Sequence, residues 1–473
     1  MTFISISKEA NKIFKVYITP HWHFDHAWLF THDQYMQALI LPNFRVLRVI
    51  LKKYPMYRCI VEQSTQWESL REFDPELFED MRKYVQSGRI CLVGGQITSP
   101  DLLLPSGESQ VRNYFYGKRF LKVTFGKETN IAWNIDSFGH HAQYPAILRH
   151  MDMKYYVFHR GVDDRAFRRQ LRQEFTTKME KFPDSQENAK PSHILFIWKA
   201  LNGRDEVLAF YQTNTYVNLL LDPIQLLNEQ YFIKVLYHDK LFLQLVNAAI
   251  HVGITYWFSV KPTYRKIIAT FLFFRLAIKP FLKIIPPPRI LYTTLGSDFT
   301  APSSFILHLW PYLQKIGKRR GIQFMFKTVE EFFSDCEQFR TILPMYQGNF
   351  LAHERLFSGV WSSRIKIKQA SRACERLLYD VEVVATVRFL LLQEHNLDPE
   401  YPFQEIDALW KQLLINQFHD IIYGCGVDLV YLQSLRALNA VEHAAKKLLD
   451  HLIHEISSNI SQESPCSRER APK

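Results

Sequence analysis

Short, almost continuously apolar runs punctuate the first two-thirds of the chain. They lie at 16–18, 57–61, 90–93, 130–135, 155–158, 194–198 with 207–211, and 289–293. β-Branched and aromatic residues dominate them, and longer stretches with helical spacing separate them. Strands that alternate with helices imply a parallel sheet with crossover helices. Runs without polar alternation suit strands buried on both faces. Roughly seven such units predict an α/β fold with a closed (β/α)7-like barrel, one unit short of the usual eight. That barrel is assigned to 1–325.

Beyond Met345 the period changes. Ala370, Cys374, Leu377, Val381 and Val384 fall at three- and four-residue steps, as do Ile406, Leu409 and Leu413. Leu432, Leu435, Leu438, Val441, Ala445, Leu449 and Leu452 continue the pattern. Three amphipathic helices in succession predict a three-helix bundle over 345–457. The polar stretch 458–473, with Pro465 and Pro472, reads as a disordered tail. The charged, aperiodic segment 165–193 reads as a surface excursion between barrel units.

Composition narrows the class. With 47% hydrophobic and 14% aromatic residues among 473, the chain has enough apolar surface for large cores, which excludes a disordered protein. Only 17 glycines and 6 cysteines exclude collagen-like chains and disulfide scaffolds. The cysteines form no CxxC pair, and 1–15 holds no apolar signal core. Both features predict a reducing, cytoplasmic setting. The most apolar segment, 264–285, has its longest uncharged run at 267–274, far short of the ~20 residues that span a bilayer. It reads as a buried barrel helix rather than a membrane-surface helix, so no transmembrane segment is expected. The net charge of +11 comes with no nucleic-acid motif, so it reads as a solvated basic face and no nucleic-acid partner is expected.

The first apolar run leads into His21-Trp22-His23-Phe24-Asp25-His26-Ala27-Trp28. The end of a barrel strand is where active-site side chains belong. Alternate residues leaving a strand point the same way, so His23 and Asp25 can face one metal. Imidazole and carboxylate together suit Zn²⁺, with Mn²⁺ or Co²⁺ as alternatives. Three families share this spelling. The string from His21 to His26 resembles the HxHxDH of metallo-β-lactamase-fold hydrolases. His21 and His23 alone resemble the first-strand pair of amidohydrolase barrels. His23, Asp25 and Trp28 resemble the HxDxxW of class II α-mannosidases, glycoside hydrolase family 38. Against the first, Ala27-Trp28 stands where glycine is usual, and little sequence precedes the motif.

Further strings favour the third. Asn134-Ile135-Asp136-Ser137-Phe138-Gly139-His140 resembles the family 38 nucleophile motif. Leu92-Val93-Gly94-Gly95-Gln96, Asp101, Leu104-Pro105-Ser106-Gly107-Glu108-Ser109 and Arg112 match the family in order and spacing. Phe158-His159-Arg160 falls where members carry an arginine. Leu295-Gly296-Ser297-Asp298-Phe299 resembles the Gly-Asp-Asp-Phe segment, with Ser297 replacing its first aspartate. Gly359-Val360-Trp361-Ser362-Ser363 and Asn416-Gln417-Phe418-His419-Asp420-Ile421 complete the series. The wording is nearest the cytosolic and bacterial branch, and the resemblance runs from Lys15 to Glu455.

The resemblance implies a zinc-dependent retaining α-mannosidase acting on oligosaccharides or glycoconjugates. One Zn²⁺ per chain would be held by His23, Asp25, Asp136 and His419 and would grip two mannose hydroxyls. Asp136 would be the nucleophile and Asp298 the acid/base. Trp28, Phe138, Arg160, Tyr216 and Asp420 would bind substrate. His21, His26, His140 and His141 are expected to be structural or to support the ligands. Family members continue past the helices into β-sandwich domains, whereas this chain stops at Lys473. A separate β-domain chain is therefore an expected partner, and a non-catalytic glycan- or zinc-binding relative is the alternative reading.

Overall fold

The computed structural model describes residues 13–162, 195–212, 290–302, 305–351, 358–394 and 399–461, with a few positions between 167 and 177. Tyr216, the 264–285 stretch and most of 165–193 lie outside the described residues.

The fold is mixed α/β. Its strands are β1 (Phe14–Pro20), β2 (Cys59–Val61), β3 (Ile90–Leu92), β4 (Ile131–Asn134), β5 (Gly139–His140), β6 (Tyr155–Phe158), β7 (Leu195–Lys199), β8 (Glu206–Tyr211), β9 (Ile290–Leu295), β10 (Ile322–Phe326), β11 (Met345–Gln347) and β12 (Phe350–Leu351). Every apolar run picked out in the sequence overlaps one of these strands. β1 lies between β10 and β9, parallel to both. A five-stranded sheet runs in the order β11-β7-β8-β6-β4. β2 pairs with β3, and β5 with β12.

The expected closed barrel does not appear: among the described residues the strands form separate sheets rather than one ring. Two local features account for part of this. β2 and β3 are three residues each and hydrogen-bond only to one another in ladder fashion. β7 and β8 form an antiparallel hairpin within an otherwise parallel sheet. Only the short connector 200–205 joins those two strands, too short for the crossover that parallel pairing needs. Strands β10, a short run between Arg320 and Lys327, and β11, three residues between Pro344 and Gly348, were not legible in the sequence pattern.

The helices between strands carry their own start signals. Ser106 accepts the Ser109 N–H at 3.2 Å to open the helix Gly107–Phe125, and left-handed Gly126 closes it. Thr328 and Glu331 form a capping box on Val329–Glu337. The chain's last part holds the helices Ile365–Glu394, Phe403–Ile415 and Asp428–Ser461. They share one apolar core that includes Cys374, Leu378, Val381, Trp410, Leu413, Leu438, Val441 and Leu452. Most predicted periodic positions lie in that core or against it, but Leu432 is 49% exposed. It sits just past the first turn of its helix, one turn on from exposed Leu429. That helix runs to Ser461, past the expected boundary at 457.

Candidate metal centre

β1 ends at Pro20, but the pairing to its neighbour continues. The His23 N–H donates to the Ser297 carbonyl at 3.1 Å, and the Phe299 N–H to the His23 carbonyl at 2.9 Å. This extension sets Asp298 beside His23. Gly296 makes it possible, with φ at +152° and a position where a Cβ would fall 1.8 Å from the His21 carbonyl oxygen. Side chains alternate along 21–25. Trp22 turns into the protein, donating to Gln66 Oε1 at 2.9 Å, while His23 and Asp25 turn to the same point.

Asp136 follows β4 by two residues. His419 arrives from the helical part, on the short helix His419–Tyr423. Backbone contacts pin the segment before it: His419 N–H to the Ser99 carbonyl at 3.2 Å, and Asp101 N–H to the Gln417 carbonyl at 3.4 Å. The buried Glu375 adds a further tie, accepting from Gln417 Nε2 at 2.9 Å and from the Ser106 N–H at 2.7 Å.

These elements bring His23, Asp25, Asp136 and His419 together. One ligand-type atom from each lies within 4.8 Å of all the others, and all four residues are buried. No other such grouping of three or more occurs among the described residues. His23 Nε2 is 3.1 Å from Asp25 Oδ1, and His419 Nε2 is 3.2 Å from Asp136 Oδ2. Each imidazole is held from behind through Nδ1, His23 by Glu62 Oε1 at 2.6 Å and His419 by the Ser99 carbonyl at 2.8 Å. Nδ1 donation to those acceptors leaves both Nε2 lone pairs aimed into the cluster, the tautomer a metal ligand requires. Nε2 of His419 is buried with no hydrogen-bond partner.

The electrostatics call for a cation. Burial opposes charge on His419, yet Asp420, Asp136 and Asp25 push its pKa up to about 10. His23 is likewise raised well above the usual histidine range, against burial, by Glu62 and Asp25. Burial opposes ionisation of Asp136, but Arg160 and His419 hold it well below the usual carboxylate range. Asp420 is pushed up to about 7 by burial and by the neighbouring carboxylates Asp25 and Asp136. Protons thus fill a place that a divalent ion suits better: two neutral imidazoles and two carboxylates balance a dication.

The other predicted site residues fall around this cluster. Arg160 Nε meets Asp136 Oδ1. Phe138 is buried, stacked on Tyr423 with centroids 4.4 Å apart, and the Arg160 guanidinium lies 5.3 Å from its ring centre. Asp420 Oδ2 lies 3.6 Å from His419 Nε2, and Cys425 donates its thiol to Asp420 Oδ1 at 2.9 Å. Half-buried Trp28 accepts the Val427 N–H on its carbonyl at 2.9 Å, which places it beside the loop that follows Asp420. Asp298 is half-buried next to His23.

Of the four extra histidines, His140 supports the site, contacting the Arg160 carbonyl through Nε2 at 2.8 Å. His26 stacks on His32 at 4.1 Å, and His141 contacts Gln110 Oε1 at 2.8 Å. The ring nitrogens of His21 are buried without hydrogen-bond partners. Sequence reasoning missed Glu62 and Tyr423, and it singled out Asp101 without giving it a role. Glu62 had a usable signal, since it directly follows the predicted strand 57–61, and strand ends are the rule that pointed to His23 and Asp25.

Residues 13–231 match the glycosyl hydrolases family 38 N-terminal domain, and residues 355–456 the alpha mannosidase middle domain. Alpha-mannosidase G of Dictyostelium discoideum is 22% identical over 94% of this chain, and 34% of that protein is covered. Alpha-mannosidase 2C1 of Homo sapiens is 23% identical over 88% of this chain and 32% of its own length. An alpha-mannosidase structure from Enterococcus faecalis V583 superposes with a TM-score of 0.71 at 18% identity, covering 94% of this chain and 43% of that one. The chain therefore spans about a third of the length of these curated relatives. No helix among the described residues is long and apolar enough to cross a membrane.

Proposed function

The chain belongs to glycoside hydrolase family 38, and from that premise we propose that it is a zinc-dependent, retaining α-mannosidase that cleaves α-mannosidic bonds of oligosaccharides or glycoconjugates. The observation that carries this reading is the buried convergence of His23, Asp25, Asp136 and His419 within 4.8 Å. The same proposal includes the division of labour along the chain. A strand-bearing (β/α)7-like unit supplies His23, Asp25, Asp136 and Asp298, and a three-helix unit supplies His419 and Asp420.

The four residues would hold one zinc ion. Bound there, it supplies positive charge to the hydroxyls of the sugar. Asp136 attacks the anomeric carbon, displacing the aglycone and forming a glycosyl ester. Arg160 against Oδ1 keeps that carboxylate ionised before attack. Asp298 gives its proton to the leaving oxygen, then takes one from the water that cleaves the ester. Two displacements at one carbon restore the original configuration. Trp28, Arg160 and Asp420, with Tyr216, orient the sugar, while Phe138 backs Arg160.

The test is hydrolysis of an aryl α-mannoside by the purified chain, with and without zinc, comparing wild type with Asp136→Ala. Zinc-dependent turnover that Asp136→Ala abolishes is the expected result. Turnover that survives the substitution would sink the mechanism. Tight zinc binding with no wild-type turnover would instead favour a non-catalytic relative or one subunit of a split enzyme.

A further inference from the structure

Tyr423 lies one turn beyond His419 on the helix His419–Tyr423 and is fully buried, so both side chains leave the same helix face. Its hydroxyl makes two contacts across the molecule. It donates to Asp101 Oδ1 at 2.7 Å and accepts the Phe138 N–H at 2.9 Å. Its ring lies 16° from parallel to the Phe138 ring. Phe138 packs in turn against the Arg160 guanidinium, and Arg160 meets Asp136. Contacts therefore run without a break from Tyr423 through Phe138 and Arg160 to Asp136.

The anchor is itself anchored. Lys368 Nζ donates to the Tyr423 carbonyl at 3.0 Å, and Ser363 Oγ donates to the same oxygen. Asp101 Oδ2 accepts the Leu103 N–H at 3.0 Å, which fixes the far side of the contact. Only Ser137 separates Asp136 from Phe138, so whatever holds the Phe138 backbone holds the turn that carries Asp136.

We propose that Tyr423 is a positioning residue that locks the Asp136 turn to the helical part of the chain, through Phe138 and Asp101. The importance of the lock for catalysis rests on reading Asp136 as nucleophile and metal ligand, but the lock itself does not. A small displacement of Asp136 would spoil both its attack line and its place in the cluster.

Tyr423→Phe keeps the stacked ring and removes only the hydroxyl. In the full chain, amide exchange at Phe138 should accelerate at least about tenfold while amides of the helix Ile365–Glu394 keep their protection, because Phe138 has lost its acceptor. The zinc dissociation constant should rise about tenfold, as for other lost supports of metal ligands, and kcat should fall with KM little changed. A lowered Tm with Phe138 exchange as in wild type would mean a purely structural tyrosine and would overturn the proposal. Should Tyr423→Phe fail to fold, Lys368→Met frees the carbonyl end of the same anchor and should speed Phe138 exchange in the same way; unchanged exchange there counts against the lock. If wild type neither binds zinc nor turns over substrate, the functional reading fails, while Phe138 exchange still decides the role of Tyr423.

Discussion

Glu62 Oε1 lies 2.6 Å from His23 Nδ1, and both side chains are almost wholly removed from solvent. The same oxygen accepts the Phe24 N–H at 2.9 Å, so Glu62 fixes both the ring and the backbone that directly follows it. Glu62→Ala should weaken zinc binding about 10- to 100-fold, the usual effect of removing a carboxylate behind a metal-bound histidine. Glu62→Gln keeps an acceptor for Nδ1–H and should lose less. Competition with a chelator of known affinity measures both, and equal dissociation constants for Glu62→Ala and wild type would refute the role.

Gly296 carries the second geometric demand. A side chain there must displace the His21 carbonyl or the strand extension that places Asp298 beside His23. Gly296→Ala should destabilise the fold by about 2–4 kcal/mol, within the range seen when a residue is forced into a special backbone conformation against a close neighbour. Urea unfolding checks the magnitude. An alanine variant as stable as wild type would show that the close approach to His21 is not required.

How much of this was legible in the sequence depended on what kind of contact was involved. His23 and Asp25 leave the end of the first apolar run, so strand-end logic reached them from local pattern; Asp136 also follows an apolar run, but the family string around it was what singled it out. His419 sits in a helical region with no period of its own and was found only through the family string around it. Its partner contact, the Ser99 carbonyl, is a backbone group and leaves no mark on sequence. Tyr423 gave no sequence signal, because its contacts are with Asp101 and Phe138, which are distant along the chain. The β7–β8 hairpin was hidden for a related reason: two apolar runs in succession look the same whether the pairing is parallel or antiparallel.

Acid should destabilise the protein through its buried neutral histidines. Burial pushes His140 down to about 4 from 6.5, and His141 likewise. The neighbours of His140 suit the neutral ring: Nε2–H donates to the Arg160 carbonyl, and the Tyr156 hydroxyl donates to Nδ1 at 2.6 Å. With the folded value below the unfolded one, the unfolded chain binds more protons between the two. Stability is therefore full above about pH 6.5 and falls as the pH drops toward 4, by about 3 kcal/mol for His140 alone. Urea midpoints measured across that window should fall with pH. His140→Gln can make both hydrogen bonds without titrating, so its stability should fall less steeply than that of wild type. An identical slope would remove His140 as the source.

Metal loading should release protons. Without a cation, the carboxylates keep His23 and His419 protonated at neutral pH, with His419 at about 10. A zinc ligand must be neutral imidazole, so each histidine gives up its proton when the ion enters. At pH 7.5 the expected release is about two protons per zinc, with a further fraction from Asp420, whose pKa of about 7 falls beside a dication. Titration calorimetry in buffers of different ionisation enthalpy reads this number directly. The affinity should accordingly rise with pH through the neutral range. His419→Ala should lower the proton yield by about one as well as the affinity. A wild-type yield near zero would show that the imidazoles are already neutral, and so that the carboxylates do not govern the cluster in the way its geometry implies.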